Sequence, residues 1–417
     1  MPEAPTPTPT PTPTLPLAGI RVVEFSHMVM GPSCGMILGD LGADVIKVEP
    51  VGGDKTRALP GAAAGFFRTF NRNKTSLAVD LNDPEGLAAV HRLVDTADVV
   101  LENFRPGMMA RYGLDHASLA VKNPRIICLS LKGFLPGPYE KRTALDEVVQ
   151  MMAGLAYMTG PTGRPLRAGS SVNDIMGGMF GVIGILAALR IRDATGRGQE
   201  IQSGLFETCV LLSAQHMQQF AVTGEAPPPF PERIAAFSIY DTFEVKDGEQ
   251  IFLGAVSDMQ WRTFCTAFGF DDLLADPRLD GNTRRCLARD WMLPEIRRRL
   301  AAYSKAEIAD LFERNGLPYA PINRPEELFD DPHLTASGGL VPIVTETGGE
   351  TRVPLLPLML DGRRLGPRMA LPPVGAQSAA LLAELGYSAA DIDRLAAAGV
   401  IAAPAAGQDA EAERLAS

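Results

Sequence analysis

One carboxylate stands at the head of a nearly bare helix face. The segment Gly169-Ser-Ser-Val-Asn-Asp174 runs straight into Ile-Met-Gly-Gly-Met-Phe-Gly-Val-Ile-Gly-Ile-Leu-Ala-Ala-Leu189. Gly177, Gly178, Gly181 and Gly184 crowd together there, the last three at three-residue spacing. A glycine in a helix interior costs about 1 kcal/mol against alanine, so four of them imply that something must approach this backbone closely. Asp174 has two readings. As an N-cap, it satisfies orphan N–H groups at the helix start. As a nucleophile, it is an anion held by a helix N-terminus, a setting that favours the ionised form. The apolar run from Ile175 to Leu189, bounded by Asp174 and Arg190, falls short of the about 20 residues that span a bilayer. A buried helix is expected.

Around this segment the chain alternates strands and helices. Strands are expected at Gly19–Phe25, Ala43–Glu49, Ser76–Leu81, Asp98–Leu101 and Ile126–Leu131. Helices are expected at Pro32–Leu41, Asp83–Thr96, Pro106–Ala120, Met151–Gly154, Ile175–Arg192 and Glu207–Val222. Such alternation predicts an α/β fold, a parallel sheet with helical crossovers. The proline cluster Ala226-Pro-Pro-Pro-Phe-Pro231 then marks a boundary. Beyond it, Lys246-Asp-Gly-Glu249 between two β-type runs predicts a hairpin, followed by helices. Alanine-rich helices return at Ala379–Leu385 and Ala389–Ala397.

At 417 residues, two or three domains are expected. Residues 1–14 form a low-complexity Pro/Thr tail outside the fold. Residues 15–222 are assigned to a large α/β domain, 223–331 to a smaller α+β domain, and 332–417 to a return into the large one.

Composition narrows the function. Hydrophobic content of 46% with 21% charged residues belongs to a globular protein. A net charge of −10 argues against nucleic-acid and membrane-surface partners. The five cysteines are scattered, never at Cys-x-x-Cys spacing, and the five histidines are equally dispersed. That pattern fits free thiols in a reducing cytoplasm, with no zinc site or disulfide framework. Prolines break up the first apolar residues, so no secretory signal is read.

The opening strand–helix–strand unit suits a phosphate at its helix N-terminus, and Glu49 suits a ribose hydroxyl. The intervening loop, Ser26-His-Met-Val-Met-Gly-Pro-Ser-Cys-Gly35, nevertheless lacks Gly-x-Gly-x-x-Gly. Basic residues between Lys47 and Arg142, among them Arg68, Arg105, Arg111, Lys132 and Lys141, cluster near expected strand ends. In an acidic protein such a local surface suits a phosphate-bearing ligand.

Six segments, in order, resemble family III CoA-transferases, the superfamily of formyl-CoA transferase, carnitine CoA-transferase and α-methylacyl-CoA racemase. They are Leu17-Ala-Gly-Ile-Arg-Val-Val-Glu-Phe25, Gly42-Ala-Asp-Val-Ile-Lys-Val-Glu-Pro50, Asn71-Arg-Asn-Lys-Thr-Ser76 and Glu102-Asn-Phe-Arg-Pro-Gly107, then Asp174 with its glycine-rich helix, and Thr195-Gly-Arg-Gly-Gln199. The resemblance implies a Rossmann-like large domain and an interlocked homodimer. It implies Asp174 as nucleophile, with CoA along Val29 and Met30, Asn71, Arg72, Asn73 and Lys74, Asn103, Phe104 and Arg105, Arg111 and Lys132. CoA and acyl-CoA are then substrates rather than tightly bound cofactors, and carboxylic acids are the partner substrates. For the oxyanions of this chemistry, backbone donors are expected at Gly177, Gly178 and Gly254.

Departures from the family pattern sharpen the reading. Val29 stands where formyl-CoA transferases carry glutamine, which speaks against a formyl or oxalate substrate, and Pro50 stands where they carry arginine, which removes one expected cofactor contact. Gly375-Ala-Gln377 replaces a Gly-Glu-His pattern. Racemases pair their aspartate with a histidine in a Gly-His-Asp triplet, because proton exchange at Cα needs two acid–base groups. This chain has Ala144-Leu145-Asp146, and Leu145 carries no proton. Asp146 is expected to cap the helix starting near Glu147. Transfer of CoA is therefore favoured over racemisation and over a non-catalytic acyl-CoA-binding scaffold. Arg164-Pro-Leu-Arg-Ala-Gly-Ser-Ser171 resembles the branch that handles dicarboxylates such as succinyl-CoA, with Arg167 as the candidate for a distal carboxylate.

Overall fold

The computed structural model describes residues 15–233 and 236–402; the Pro/Thr tail lies outside them. Strands β1 (Arg21–Phe25), β2 (Asp44–Glu49), β3 (Lys74–Val79), β4 (Val99–Glu102), β5 (Ile127–Lys132) and β6 (Glu200–Gly204) form one parallel sheet. Their spatial order is 3-2-1-4-5-6, and the short strand Ile401–Ala402 adds antiparallel to β3. This is the doubly wound Rossmann order, whose ligands bind beyond the strand C-termini where the order reverses, here between β1 and β4.

The first five strands follow the β-branched, apolar runs expected from the sequence. β6 was not expected, because Glu-Ile-Gln-Ser-Gly carries a single large apolar residue. It becomes a strand by pairing with β5 from Cys128 to Lys132. The helix expected over Pro106–Ala120 is broken into Met108–Arg111 and His116–Lys122, with Gly113 between them at φ 65°.

The chain divides into two compact units, residues 1–231 with 337–417, and Glu232–Ala336. Both boundaries fall later than the expected 222/223 and 331/332. The first lies beyond the helix Leu205–Thr223, which is closed by Gly224 at φ 74°, and beyond the proline cluster. Unit 2 contains the expected hairpin, Ile239–Glu244 paired with Gln250–Ala255, turning through Asp247 and Gly248, both at positive φ. Its aromatic core gathers Trp261, Phe264, Phe268 and Phe312.

The glycine-rich segment is a helix from Val172 to Thr195, longer than its apolar run. What approaches its backbone is the helix Met30–Asp40. A Cβ on Gly177 would collide with the Met30 side chain. One on Gly178 would overlap Ser33 and stand 2.7 Å from the Met30 carbonyl oxygen. Gly181 and Gly184 meet Leu129, Leu131 and Ile201 of β5 and β6 in the same way. The opposite face is not buried: Met179, Phe180, Ile183, Leu186 and Ile191 are exposed.

Arg72 and Asp40 form a buried pair, Nη2 to Oδ2 at 2.7 Å and Nε to Oδ1 at 3.0 Å. Asn73, at φ 59°, donates to the same carboxylate at 2.8 Å. Removing one partner of such a pair strands a charge at a cost of about 3–5 kcal/mol. Asp40→Ala is expected to lose about that much in urea unfolding, whereas Gly178→Ala loses about 1–3 kcal/mol through overpacking.

Candidate active site

A cleft of about 1110 Å³ opens at the C-terminal edge of the sheet. Its wall includes His27 after β1, Glu49 at the end of β2 and Pro50 after it, Asp80 after β3, Asn103 to Arg105 after β4, and Lys132 at the end of β5. That volume exceeds the roughly 300–1,000 Å³ of pockets for drug-sized ligands, so a longer ligand fits.

Asn103 locks the two loops at the switch point together. Its amide accepts the His27 N–H at 3.1 Å and donates to the His27 carbonyl at 2.8 Å. Phe104 packs against the His27 ring at 5.8 Å between centroids. Lys132 donates to the Phe104 carbonyl at 2.8 Å and pairs with Glu102. Arg105 and Lys141, both exposed on the cleft wall, have no ion-pair partner among the described residues. They are free to meet a phosphate, as is Arg142, exposed on the same wall over the Tyr139 ring.

Several expected CoA contacts are occupied elsewhere. Asn71, Arg72, Asn73 and Lys74 are all buried. Lys74 Nζ donates to Glu24 Oε1 at 2.9 Å, the Pro32 carbonyl at 3.0 Å and Asn71 Oδ1 at 3.0 Å. Burial pushes this ammonium down to about 8, with Glu24 pulling it the other way. These side chains tie β1, β3 and the Met30–Asp40 helix together rather than line the cleft. Val29 and Met30 also turn inward, Val29 toward Met36 and Phe70 and Met30 toward Gly177. Arg111 is exposed beside Tyr112 and outside the cleft wall.

The loop between β1 and that helix is braced from below. Lys47 Nζ donates to the Ser26 carbonyl at 2.7 Å and pairs with Asp54 at 2.9 Å. Asp54 in turn receives Thr56, whose hydroxyl accepts the Met28 N–H at 3.0 Å. Met28 sits at φ 64°, a strained left-handed conformation for a side-chain-bearing residue. The bracing fixes His27 on the cleft wall. His27 was absent from the expected site; its place in the loop after the first strand was the available signal.

Asp174 lies in the first turn of the long helix, half-buried, and its carboxylate accepts no hydrogen bond among the described residues. It is not the cap. That place belongs to Asp146, whose Oδ2 accepts the N–H groups of Asn173 at 2.9 Å and Asp174 at 3.2 Å. Asp146 therefore caps the long helix, not the helix Asp146–Met152 that it begins, whose N-cap residue is Leu145. Leu145 itself lines the cleft, so the cleft wall reaches the residue next to this cap. Arg167 stands close by, 3.6 Å from Asp146 and 3.6 Å from Glu147.

The expected oxyanion donors are corrected. Gly177 and Gly178 lie beyond the first helical turn, where N–H groups are committed to carbonyls four residues back. They are packing residues. Gly254, in the hairpin of unit 2, donates its N–H to the Pro318 carbonyl at 2.9 Å.

The sequence comparisons agree with this architecture. Residues 17–378 match the family model described as CoA-transferase family III, and the chain belongs to that family. It is 36% identical over 383 residues to a succinate–glutarate CoA-transferase of Agrobacterium fabrum, covering 89% of this chain and 96% of the relative. A succinyl-CoA:glutarate CoA-transferase of Mus musculus is 30% identical, covering 93% and 90%. A solved CAIB/BAIF family protein from Brucella suis superposes with a TM-score of 0.81 at 32% identity, covering 89% of this chain and all of that one. The protein is a CoA-transferase.

Burial first, and the Asp146 carboxylate second, push Asp174 up to about 7, with Arg167 pulling the other way. The unfolded chain releases this proton near ~4. The folded state thus binds the proton more tightly, and ionising Asp174 works against the fold as pH rises from about 4 to about 7. Asp174→Asn, which cannot ionise, is expected to melt above wild type at pH 8 and to lose that advantage near pH 4. Calorimetry at both values checks this; an identical difference at the two would contradict it.

Proposed function

We propose that this enzyme moves CoA from succinyl-CoA to a carboxylic-acid acceptor through an aspartyl-CoA thioester on Asp174. The observation that carries the reading is the Asp174 carboxylate itself. It is half-buried and accepts no hydrogen bond among the described residues, at a helix start that another residue already caps.

Ionised Asp174 attacks the thioester carbonyl of the donor; a C–O bond forms, the C–S bond breaks, and CoA leaves as thiolate. The thiolate attacks the aspartyl carbonyl of the mixed anhydride, forming the aspartyl thioester and releasing the donor acid. The acceptor carboxylate attacks that thioester and expels CoA thiolate again. The thiolate then takes the acceptor's acyl carbon, and Asp174 departs as carboxylate. No net proton or electron is consumed. Covalent catalysis divides one difficult exchange into steps of similar energy. Because anhydride and thioester both hydrolyse, the half-buried setting of Asp174 serves the reaction by limiting water.

Asn103, Phe104, Arg105 and Lys132, together with Lys141 and His27, are the CoA contacts this reading retains on the cleft wall. Succinyl-CoA as donor follows the relatives' names and the Arg164–Ser171 segment. Arg167, exposed beside Asp146, is the cation for the distal carboxylate of a dicarboxylic substrate. A second copy of the chain is proposed to cover the apolar faces of two helices, Met179, Phe180 and Ile183 on one and Leu211, Met217 and Phe220 on the other. An unpaired patch of this kind marks a protein interface. The cytoplasm suits the free thiols.

Four outcomes are expected. Asp174→Asn and Asp174→Ser fold and lose at least about 10³-fold in rate, since neither side chain replaces a carboxylate nucleophile. Acyl-CoA without acceptor leaves on the Asp174 peptide of wild type an adduct that hydroxylamine cleaves and borohydride reduces. An active Asn variant, deamidation excluded, would overturn the mechanism. Arg105→Ala raises the KM for acyl-CoA about 10- to 150-fold, the worth of a charge-assisted contact, with a smaller change in kcat. Light scattering at micromolar concentration gives a dimer; a monomer would refute the covered apolar faces.

A further inference from the structure

The two segments that flank Asp174 in space are tied to it through a single buried carboxylate. Besides the N–H groups of Asn173 and Asp174, Asp146 accepts a hydrogen bond from Gln150 Nε2. The other end of the Gln150 amide accepts the Ala168 N–H at 2.8 Å, which anchors the loop carrying Arg167. Asp146 and Gln150 are both buried, and Ser171 at the N-cap position makes no cap bond of its own. Deleting the Asp146 side chain would release the helix start and the Arg167 loop together.

We propose that Asp146 is the positioning residue of the transfer reaction: it pins the backbone that carries the nucleophile with one oxygen and tunes that nucleophile with its charge. This rests on the reading of Asp174 as nucleophile. A helix N-terminus ordinarily favours an ionised carboxylate. Here Asp146 already occupies the N–H groups that would supply that stabilisation, and two neighbouring carboxylates disfavour each other's ionisation. The charged groups that act on Asp174 are Asp146 on one helix and Arg167 on the loop, the latter also 3.6 Å from Glu147. On the neighbouring helix Leu205–Thr223, Cys209 lies beside Asn173, and burial pushes its thiol up, so it stays neutral. Asp146 is therefore the anion that sets Asp174 against the pull of Arg167.

The chemical benefit follows from basicity. A carboxylate attacking a thioester must expel a thiolate, which is far more basic than an ordinary carboxylate. A more basic Asp174 narrows that gap and makes the first step less uphill. It stays ionised at neutral pH only in part, so the balance between Asp146 and Arg167 fixes the working range.

The test uses the full-length enzyme and Asp146→Asn, which keeps an oxygen for the two N–H groups and removes the charge. Its acid limb in the pH profile of kcat/KM is expected to move about one unit or more toward acid. At pH 8 its kcat falls while the KM for succinyl-CoA stays within about twofold, as expected of a group that does not bind the ligand. Asp146→Ala, losing oxygen and charge, loses more kcat. A purely structural cap would lower the melting temperature in both variants and leave the limb in place. Wild-type limb position in folded Asp146→Asn overturns the proposal. If turnover is too slow to profile, carbodiimide labelling of Asp174 against pH, read by peptide mass spectrometry, reports the same ionisation. Failure of the nucleophile reading looks different: Asp174→Asn stays active and no adduct forms on its peptide.

Discussion

The close contact between the long helix and the helix Met30–Asp40 is what the site depends on. Gly177 and Gly178 let the two backbones approach where any side chain would collide with Met30 or Ser33. Gly181 and Gly184 then seat the same helix on β5 and β6. A rigid, glycine-lined contact fixes the helix along its axis, and so fixes the height of its N-terminus. The about 1 kcal/mol lost at each glycine is offset by this packing. Asp174 inherits its position from a surface it does not touch.

Charge burial is the second constraint. Beneath the cleft, Glu24, Lys47, Lys74 and Asp54 form a connected set of buried ion pairs. A buried pair is weak evidence for stability, since desolvation offsets much of the attraction. Its visible work is geometric. Lys47 and Asp54, with Thr56, hold the Ser26–Met28 loop in a conformation that includes a positive φ at Met28. Asn103 then couples that loop to the end of β4, so the switch point of the sheet is fixed from both sides. At the other edge, the Gln377 side chain accepts the Ser76 N–H at 2.8 Å and Ser378 accepts that of Ala78, giving Gly375-Ala-Gln377 a place beside β3.

Asp174 shows why a helix start cannot be read as an electrostatic rule applied alone. Position in the first turn predicts a stabilised anion. Desolvation and the Asp146 carboxylate outweigh that and push the group up to about 7. The cap reading of Asp174 is removed by a residue far away in sequence, because Asp146 takes the N–H groups that a capping Asp174 would have used.

Periodicity and short motifs were enough to place five of the parallel strands, the hairpin at Asp247-Gly248, the long helix and the family, because local apolar runs, turn residues and ordered motifs are local signals. The sequence by itself also marked Asp174, since four glycines after one carboxylate have no cheap local explanation. It did not separate ligand contacts from buried partners. Asn71, Arg72, Asn73 and Lys74 look like a phosphate-binding run, yet Arg72, Asn73 and Lys74 find their partners only once folding brings Asp40 and Glu24 beside them, and Asn71 is held by Phe67 and Lys74. β6 needed β5 to become a strand. Asp146 as the cap and His27 on the cleft wall were decided by tertiary structure alone, because hydrogen-bond acceptors and desolvation are shared across the fold and leave no imprint on neighbouring residues.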